Sequence, residues 1–291
     1  MLNLLKPPGM TSHDVVAAVR RLSGQRRAGH AGTLDPAAAG VLPVALGQAT
    51  RLLEYLAGTD KAYRAEVTFG RRTDTLDAAG RVLEERPAPG LSADRVEALL
   101  AAFRGEILQV PPAYAAVRVG GERAHRLARR GVAVQLPPRR VRIGRLELLD
   151  FTPGRFPRAM LDLVCSKGTY VRSLARDLGE AARTGAYVSF LLRLRVGPFP
   201  VEEACTLEEL GRDGVAAHLS EVRSMLGGVP AVTVTAAEAA LIRNGVAPGP
   251  APGRYPDGPV QLLDAEGMLL AMGEARQGVC RLRKVLGPWN S

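Results

Sequence analysis

Cysteine is scarce. The three present, Cys165, Cys205 and Cys280, are far apart and form no C-x-x-C pair. That spacing argues against a thiolate zinc site and against a disulfide framework, and three reduced thiols fit a cytosolic protein. The four histidines, at 13, 30, 125 and 218, lack metal-ligand spacing. No G-x-G-x-x-G follows a strand, and the P-loop lysine, H-E-x-x-H and G-x-S-x-G motifs are all missing. Long apolar runs are missing too, since the stretch 37–50 is interrupted by Gly40, Pro43 and Gly47. Met1 to Lys6 lacks the long apolar region of a signal peptide. These absences leave a soluble, cytoplasmic protein with no metal and no cofactor as the expectation.

Acidic charge is also in short supply: 39 basic residues face 29 acidic ones, for a net charge of +10. Such a surface attracts polyanions, and a nucleic acid is the foremost candidate. Only four of the basic residues are lysines (Lys6, Lys61, Lys167, Lys284). The rest are arginines, whose planar fork grips phosphate and stacks on bases. Residues 118–145 hold nine arginines against a single acid, Glu122. A run so one-signed inside a folded sequence reads as a track for a phosphate backbone.

At 291 residues and 46% hydrophobic, the chain can bury a sizeable core, and its length suggests about two domains. Ser12 reads as the N-cap of a helix with Val15, Val16, Val19 and Leu22 on one face. Val41 to Leu56 reads equally as buried strand or helix. Residues 62–69 alternate cleanly, placing Tyr63, Ala65, Val67 and Phe69 on one side of a strand. Asp74 and Asp77, in the polar loop 70–80, read as turn-formers. Residues 92–103 form an amphipathic helix. Strands at 141–148 and 159–165 lead through Ser166-Lys167-Gly168 into a helix with Val171, Leu174, Ala175 and Leu178 inward. Tyr170 and Arg172 thus stand at a strand-to-helix junction. Thr206 and Thr235 open helices through capping boxes. A boundary near Leu226-Gly227-Gly228 separates residues 1–226 from a small β-rich module at 227–291, with strands at 260–263, 268–272 and 279–286.

The stretch with most chemical content is Gly29-His30-Ala31-Gly32-Thr33-Leu34-Asp35-Pro36. Pro36 biases Asp35 towards extended geometry, so the carboxylate sits on a constrained turn. The glycines let backbone or ligand approach closely. One rigid carboxylate with a histidine nearby suits covalent or acid–base catalysis; the same residues also read as an Asx-type turn without chemistry.

Five blocks, KPPGMTSHDVV (6–16), GHAGTLDPAAAGVLPVALGQATRL (29–52), KAYRAEVTFGRRTDTLDAAG (61–80), PPAYAAVRVGGERAHRLARRG (111–131) and CSKGTYVRSLARDLG (165–179), together resemble the TruB-type family of tRNA pseudouridine synthases. The resemblance implies an α+β fold: a mixed, largely antiparallel bent sheet flanked by helices, with a C-terminal PUA-like RNA-binding domain. It implies cofactor-free isomerisation of the T-loop uridine of tRNA; a monomer is the default expectation, since no amphipathic seam or repeat argues otherwise. It places Asp35 on the catalytic aspartate, Tyr63 on the tyrosine that stacks on the target base, and Arg172 on the arginine paired with the carboxylate. His30 falls on the histidine that displaces the target nucleotide, and Tyr170 on the neighbouring active-site tyrosine. Lys6, Arg118, Arg126 and Arg129 complete the expected substrate-binding set. Ala115, Arg118, His125, Tyr187 and Leu194 depart from the family's usual residues. The rival readings are a tRNA-binding or folding module with little catalysis and a guide-dependent relative of the dyskerin kind.

Overall fold

A computed structural model describes residues 1–115, 117–119, 122–123, 130 and 136–287. Strands β1 (Leu2–Lys6), β2 (Ala28–His30), β3 (Ala39–Leu46) and β4 (Lys61–Phe69) lead into a hairpin of β5 (Arg71–Thr73) and β6 (Val82–Glu85). Then come β7 (Gly105–Gln109), a second hairpin of β8 (Arg118–Val119) and β9 (Glu122–Arg123), and β10 (Arg139–Thr152). β11 (Arg158–Cys165), β12 (Ala186–Val196) and β13 (Phe199–Pro200) complete this part. The order β1-β3-β12-β4-β11-β10-β7, with β2 on β3 and β13 on β12, makes one nine-stranded sheet. Its pairs are antiparallel except β3 with β12. The expected mixed, largely antiparallel sheet is therefore present.

The inward row of β4 explains where the core lies. Ala65, Val67 and Phe69 pack with Val171, Leu174, Ala175 and Leu178 of the helix Val171–Ala181. Tyr63 continues that row; it is partly buried and packed against the cluster. The helix Ala93–Leu100 adds Val96 and Leu100. A second cluster, built on Leu2, Leu4, Leu42 and Val44, buries Val15, Val16 and Val19 of the helix Ser12–Ser23.

Two expectations change. The N-cap of the helix Ser12–Ser23 is Thr11, whose hydroxyl accepts from the Asp14 amide, rather than Ser12. The Ser12 hydroxyl is taken instead by Leu34, accepting from its amide at 2.9 Å and donating to its carbonyl at 3.2 Å. The ambiguous stretch 41–56 splits: β3 runs to Leu46, then a 3-10 segment Gly47–Leu52 and a short helix Leu53–Ala57.

Towards the C-terminus, β14 (Ala231–Thr233), β15 (Gly258–Leu263), β16 (Leu269–Arg276) and β17 (Val279–Val285) form a four-stranded sheet in that order. Its Leu263, Leu269 and Met272 join Val41, Leu52, Leu56 and Phe199 in one apolar cluster. Lys284–Glu54 at 3.0 Å and Gly287 N to Gln48 Oε1 at 2.7 Å add polar ties. This sheet thus shares a core with the larger one. Among the described residues no helix is long and apolar enough to cross a membrane.

The helix Ala236–Arg243 begins with the expected Thr235–Glu238 capping box. Glu238 also receives both forks of Arg254, at 2.6 and 2.9 Å. Those bonds, followed by the cap, hold its carboxyl at about 2, well below its ordinary 4.5. Because the folded value is the lower one, the ionised group stabilises the fold above pH 4.5, and that contribution is lost as pH falls towards 2. We expect Glu238→Gln to cost about 1 kcal/mol at pH 7, kept small by partial exposure. Denaturant midpoints should show the gap from wild type closing across that acid window; a constant gap would contradict the assignment.

Candidate active site

The loop between β2 and β3 carries Asp35. Gly32 there has φ +92°, a left-handed conformation that favours glycine. Asp35 is non-helical, as its place before Pro36 requires, and its carbonyl accepts from the Ala38 amide at 3.1 Å. The loop is tied from outside by Lys6, which is fully buried. The Lys6 ammonium donates to the carbonyls of Pro7 (2.8 Å), Met10 (2.6 Å) and Pro36 (3.2 Å). Burial draws its pKa down to about 8, against the pull of Asp35.

Arg172, in the first turn of the helix Val171–Ala181, meets Asp35 with a two-pronged bond. Nε lies 2.8 Å from Oδ2 and Nη2 3.0 Å from Oδ1. The remaining donor capacity goes to the carbonyls of Thr75 (3.0 Å) and Tyr114 (3.3 Å). Asp77 Oδ2 stands 3.7 Å from Nη1. Asp77 does form the turn read from sequence, accepting from the Ala79 amide at 3.1 Å. Its second role beside Arg172 was not legible, because the two are distant in sequence.

Burial pushes the Asp35 carboxyl above the ordinary aspartate range; Arg172 pulls it down, and Asp77 pushes it up again. The guanidinium at bonding distance favours the ionised carboxylate, and desolvation opposes it.

Asp35, Tyr63, Tyr170 and Arg172 line one cleft of about 290 Å³, together with Lys61, Lys167 and Arg193. Four predicted residues therefore converge, from a loop, a strand and a helix start. Burial raises the Tyr63 hydroxyl's pKa, and the neighbouring Arg193 opposes this. Tyr170 is the N-cap of its helix. Its amide donates to Gln109 Oε1 at 2.8 Å, and its carbonyl accepts from Gln109 Nε2 at 3.1 Å. Gln109, on β7, escaped sequence reasoning, since a lone glutamine in a strand carries no signal. His30 sits on β2, opposite Val44, and is not among the residues lining this cleft. Its Nδ1 is buried without a hydrogen-bond partner, and burial, then Arg193, lowers its pKa. Arg126 and Arg129 lie outside the described residues, as do His125 and the Arg118 side chain. Of the arginine run, Arg139, Arg140, Arg142 and Arg145 are exposed on β10, while Val141, Ile143 and Leu146 point inward.

This geometry sits within a family pattern that covers residues 20–227. Residues 20–171 match the N-terminal domain of the TruB family of pseudouridylate synthases. Residues 172–227 match the C-terminal domain of tRNA pseudouridylate synthase B. The chain belongs to the TruB family. It is 57% identical over 248 residues to the tRNA pseudouridine synthase B of Symbiobacterium thermophilum, covering 85% of this chain and 82% of that one. The Heliobacterium mobile protein of the same name is 42% identical over 289 residues, covering 98% and 94%. Among solved structures, a Cbf5-Nop10-Gar1 complex aligns with TM-score 0.75 and 28% identity over 98% of this chain and 84% of that chain. An H/ACA RNP bound to a substrate RNA containing 2′-deoxyuridine aligns with TM-score 0.73 and 25% identity, over 99% and 84%. The mixed sheet is thus the pseudouridine synthase fold of this family.

Removing Arg172 takes away the larger of the two cationic pulls, its own and that of Lys6, that oppose the rise of the Asp35 pKa. We expect Arg172→Met to slow the reaction by about a hundredfold through misplacement of the carboxylate. The acid limb of the pH–rate profile should move to higher pH than in wild type. A slower variant with an unmoved acid limb would show that Arg172 does not set Asp35 ionisation.

Proposed function

We propose that this chain isomerises uridine 55, in the T-loop of tRNA, to pseudouridine, without a cofactor. The observation that carries the reading is the two-pronged Asp35–Arg172 bond at the wall of a cleft that also presents Tyr63. A cleft of about 290 Å³ is at the small end of ligand sites (roughly 300 Å³ and above) and suits a single flipped nucleotide.

Asp35 acts on the uridine at the glycosidic bond, and Arg172 aims and charges it. Tyr63 stacks on the extruded base, holding the uracil while its attachment to C1′ passes from N1 to C5. Tyr170 closes the wall beside it. His30 stands on the strand that leads into the loop, suited to the stem side from which the base is displaced. Lys6, spent on three carbonyls, holds the Asp35 loop from behind and supports substrate binding indirectly. Arg118, Arg126 and Arg129 continue the basic run of β10 that follows the T-arm phosphates. Residues 1–226 carry the chemistry, and residues 227–291 act as a PUA-like extension of the RNA-binding surface. The enzyme works as a cytoplasmic monomer on tRNA. Relatives bearing the tRNA pseudouridine synthase B name across nearly their whole length favour this over a guide-dependent reading.

Carbodiimide mapping of an unmodified tRNA transcript should give one new reverse-transcription stop, at position 55, and none when that uridine is replaced by cytidine. A stop elsewhere, or none despite tight binding, contradicts the assignment. Affinity should fall steeply with salt, since several phosphates are neutralised: about tenfold or more between low and moderate ionic strength. A flat response would remove the arginine track from the account.

A further inference from the structure

Arg193 is one of the largest fully buried side chains, 1% exposed. Its guanidinium is held by carbonyls rather than by a carboxylate: Val41 O at 2.7 Å, Gly32 O at 3.1 Å and Thr33 O at 3.4 Å. Burying a cation on neutral acceptors carries a desolvation penalty that a leucine would not. The surroundings are shaped for it. β12 meets β3 at Arg193–Gly40, and a Cβ on Gly40 would lie 2.3 Å from the Arg193 carbonyl oxygen. On the other side of β12, Arg193 stands directly opposite Tyr63 of β4, and both side chains line the cleft that holds Asp35. One side chain thus holds the loop before Asp35 from a position that faces Tyr63.

We infer that Arg193 is the positioning residue that sets the spacing between Asp35 and Tyr63. Through the Gly32 and Thr33 carbonyls it fixes the approach to Asp35. Facing Tyr63 across the β12–β4 pair, its charge favours negative charge on the phenol. This deepens the function proposed above and rests on it. The other ionisable groups acting on Tyr63 are Cys165 and Asp35; both oppose its ionisation, so Arg193 is the cation that favours it. Lys61, buried nearby, spends its ammonium on the carbonyls of Ala57 and Thr59.

The test compares Arg193→Met and Arg193→Lys, each with and without Tyr63→Phe, in single-turnover pseudouridine formation on the tRNA transcript. Circular dichroism and tRNA binding are measured alongside. Ionisation of Tyr63 is read as the ultraviolet titration difference between each protein and its Tyr63→Phe counterpart. Arg193→Met should lose about a hundredfold in rate with tRNA affinity changed less than about threefold. Tyr63 should then ionise at higher pH than in wild type. In the Tyr63→Phe background the same substitution should cost about tenfold less, because part of its effect passes through the phenol. If Arg193→Met does not fold, Arg193→Lys carries the measurement: it keeps the charge and loses the fork, so Tyr63 should titrate near wild type while the rate still falls. A folded variant with wild-type rate and wild-type Tyr63 titration overturns the inference. So does an equal rate loss in both backgrounds, which makes Arg193 a strand-joining residue only. An inactive wild type would instead count against the proposed function, which keeps the two failures apart.

Discussion

The two-pronged bond between Asp35 and Arg172 is the contact on which the site depends. It joins the loop after β2 to the start of the helix Val171–Ala181, 137 residues further along the chain. Each partner is prepared separately. Asp35 is held extended by Pro36 and braced from behind by Lys6. Arg172 is fixed by its helix, whose apolar face packs on β4, and by carbonyls of Thr75 and Tyr114. Neither side chain has to be ordered when substrate arrives, which is the condition for a carboxylate to act on a fleeting geometry.

The electrostatics follow from burial more than from ion pairing. Lys6, Lys61 and Arg193 are all buried around the Asp35 loop and the base of the cleft, and all three donate to backbone carbonyls. They cost desolvation energy, and in return they hold irregular backbone that no sheet ladder supports. Asp35 and Asp77 share Arg172, so the site holds two carboxylates around one guanidinium. The outer surface is organised differently. Arginines on β10 alternate with buried Val141 and Ile143, so one strand serves the core with one face and presents charge on the other.

Much of this was legible in the residues. The alternation at 62–69 placed Tyr63 on the inward row of a strand, and the junction at 165–172 placed Tyr170 and Arg172 at a helix start. Both capping boxes lie where threonine and glutamate stand three apart. What escaped has physical causes. Residues 41–46 are an unbroken apolar run and the polar residues that follow, Gln48, Thr50, Arg51 and Glu54, are too few to set a period, so the strand is not distinguished from the turns of helix after it. Arg193 and Arg195 have the same parity, but a register irregularity lies between them, and only Arg193 turns fully inward. Ser12 reads as the cap, but a tertiary contact with Leu34 claims its hydroxyl and the preceding Thr11 caps the helix instead. Asp77 and Gln109 act on residues remote in sequence, and local reasoning has no access to such pairs.

The central claim is that Asp35 performs the chemistry and is dispensable for binding. A tRNA transcript tritiated at uridine C5, incubated with wild type and with Asp35→Asn, tests it most directly, because joining C5 to C1′ expels the C5 hydrogen to water. The account predicts tritium release by wild type, one site per tRNA, and none by Asp35→Asn, with both proteins binding the transcript alike. Release by Asp35→Asn at the wild-type rate, or loss of binding as large as the loss of release, would contradict it.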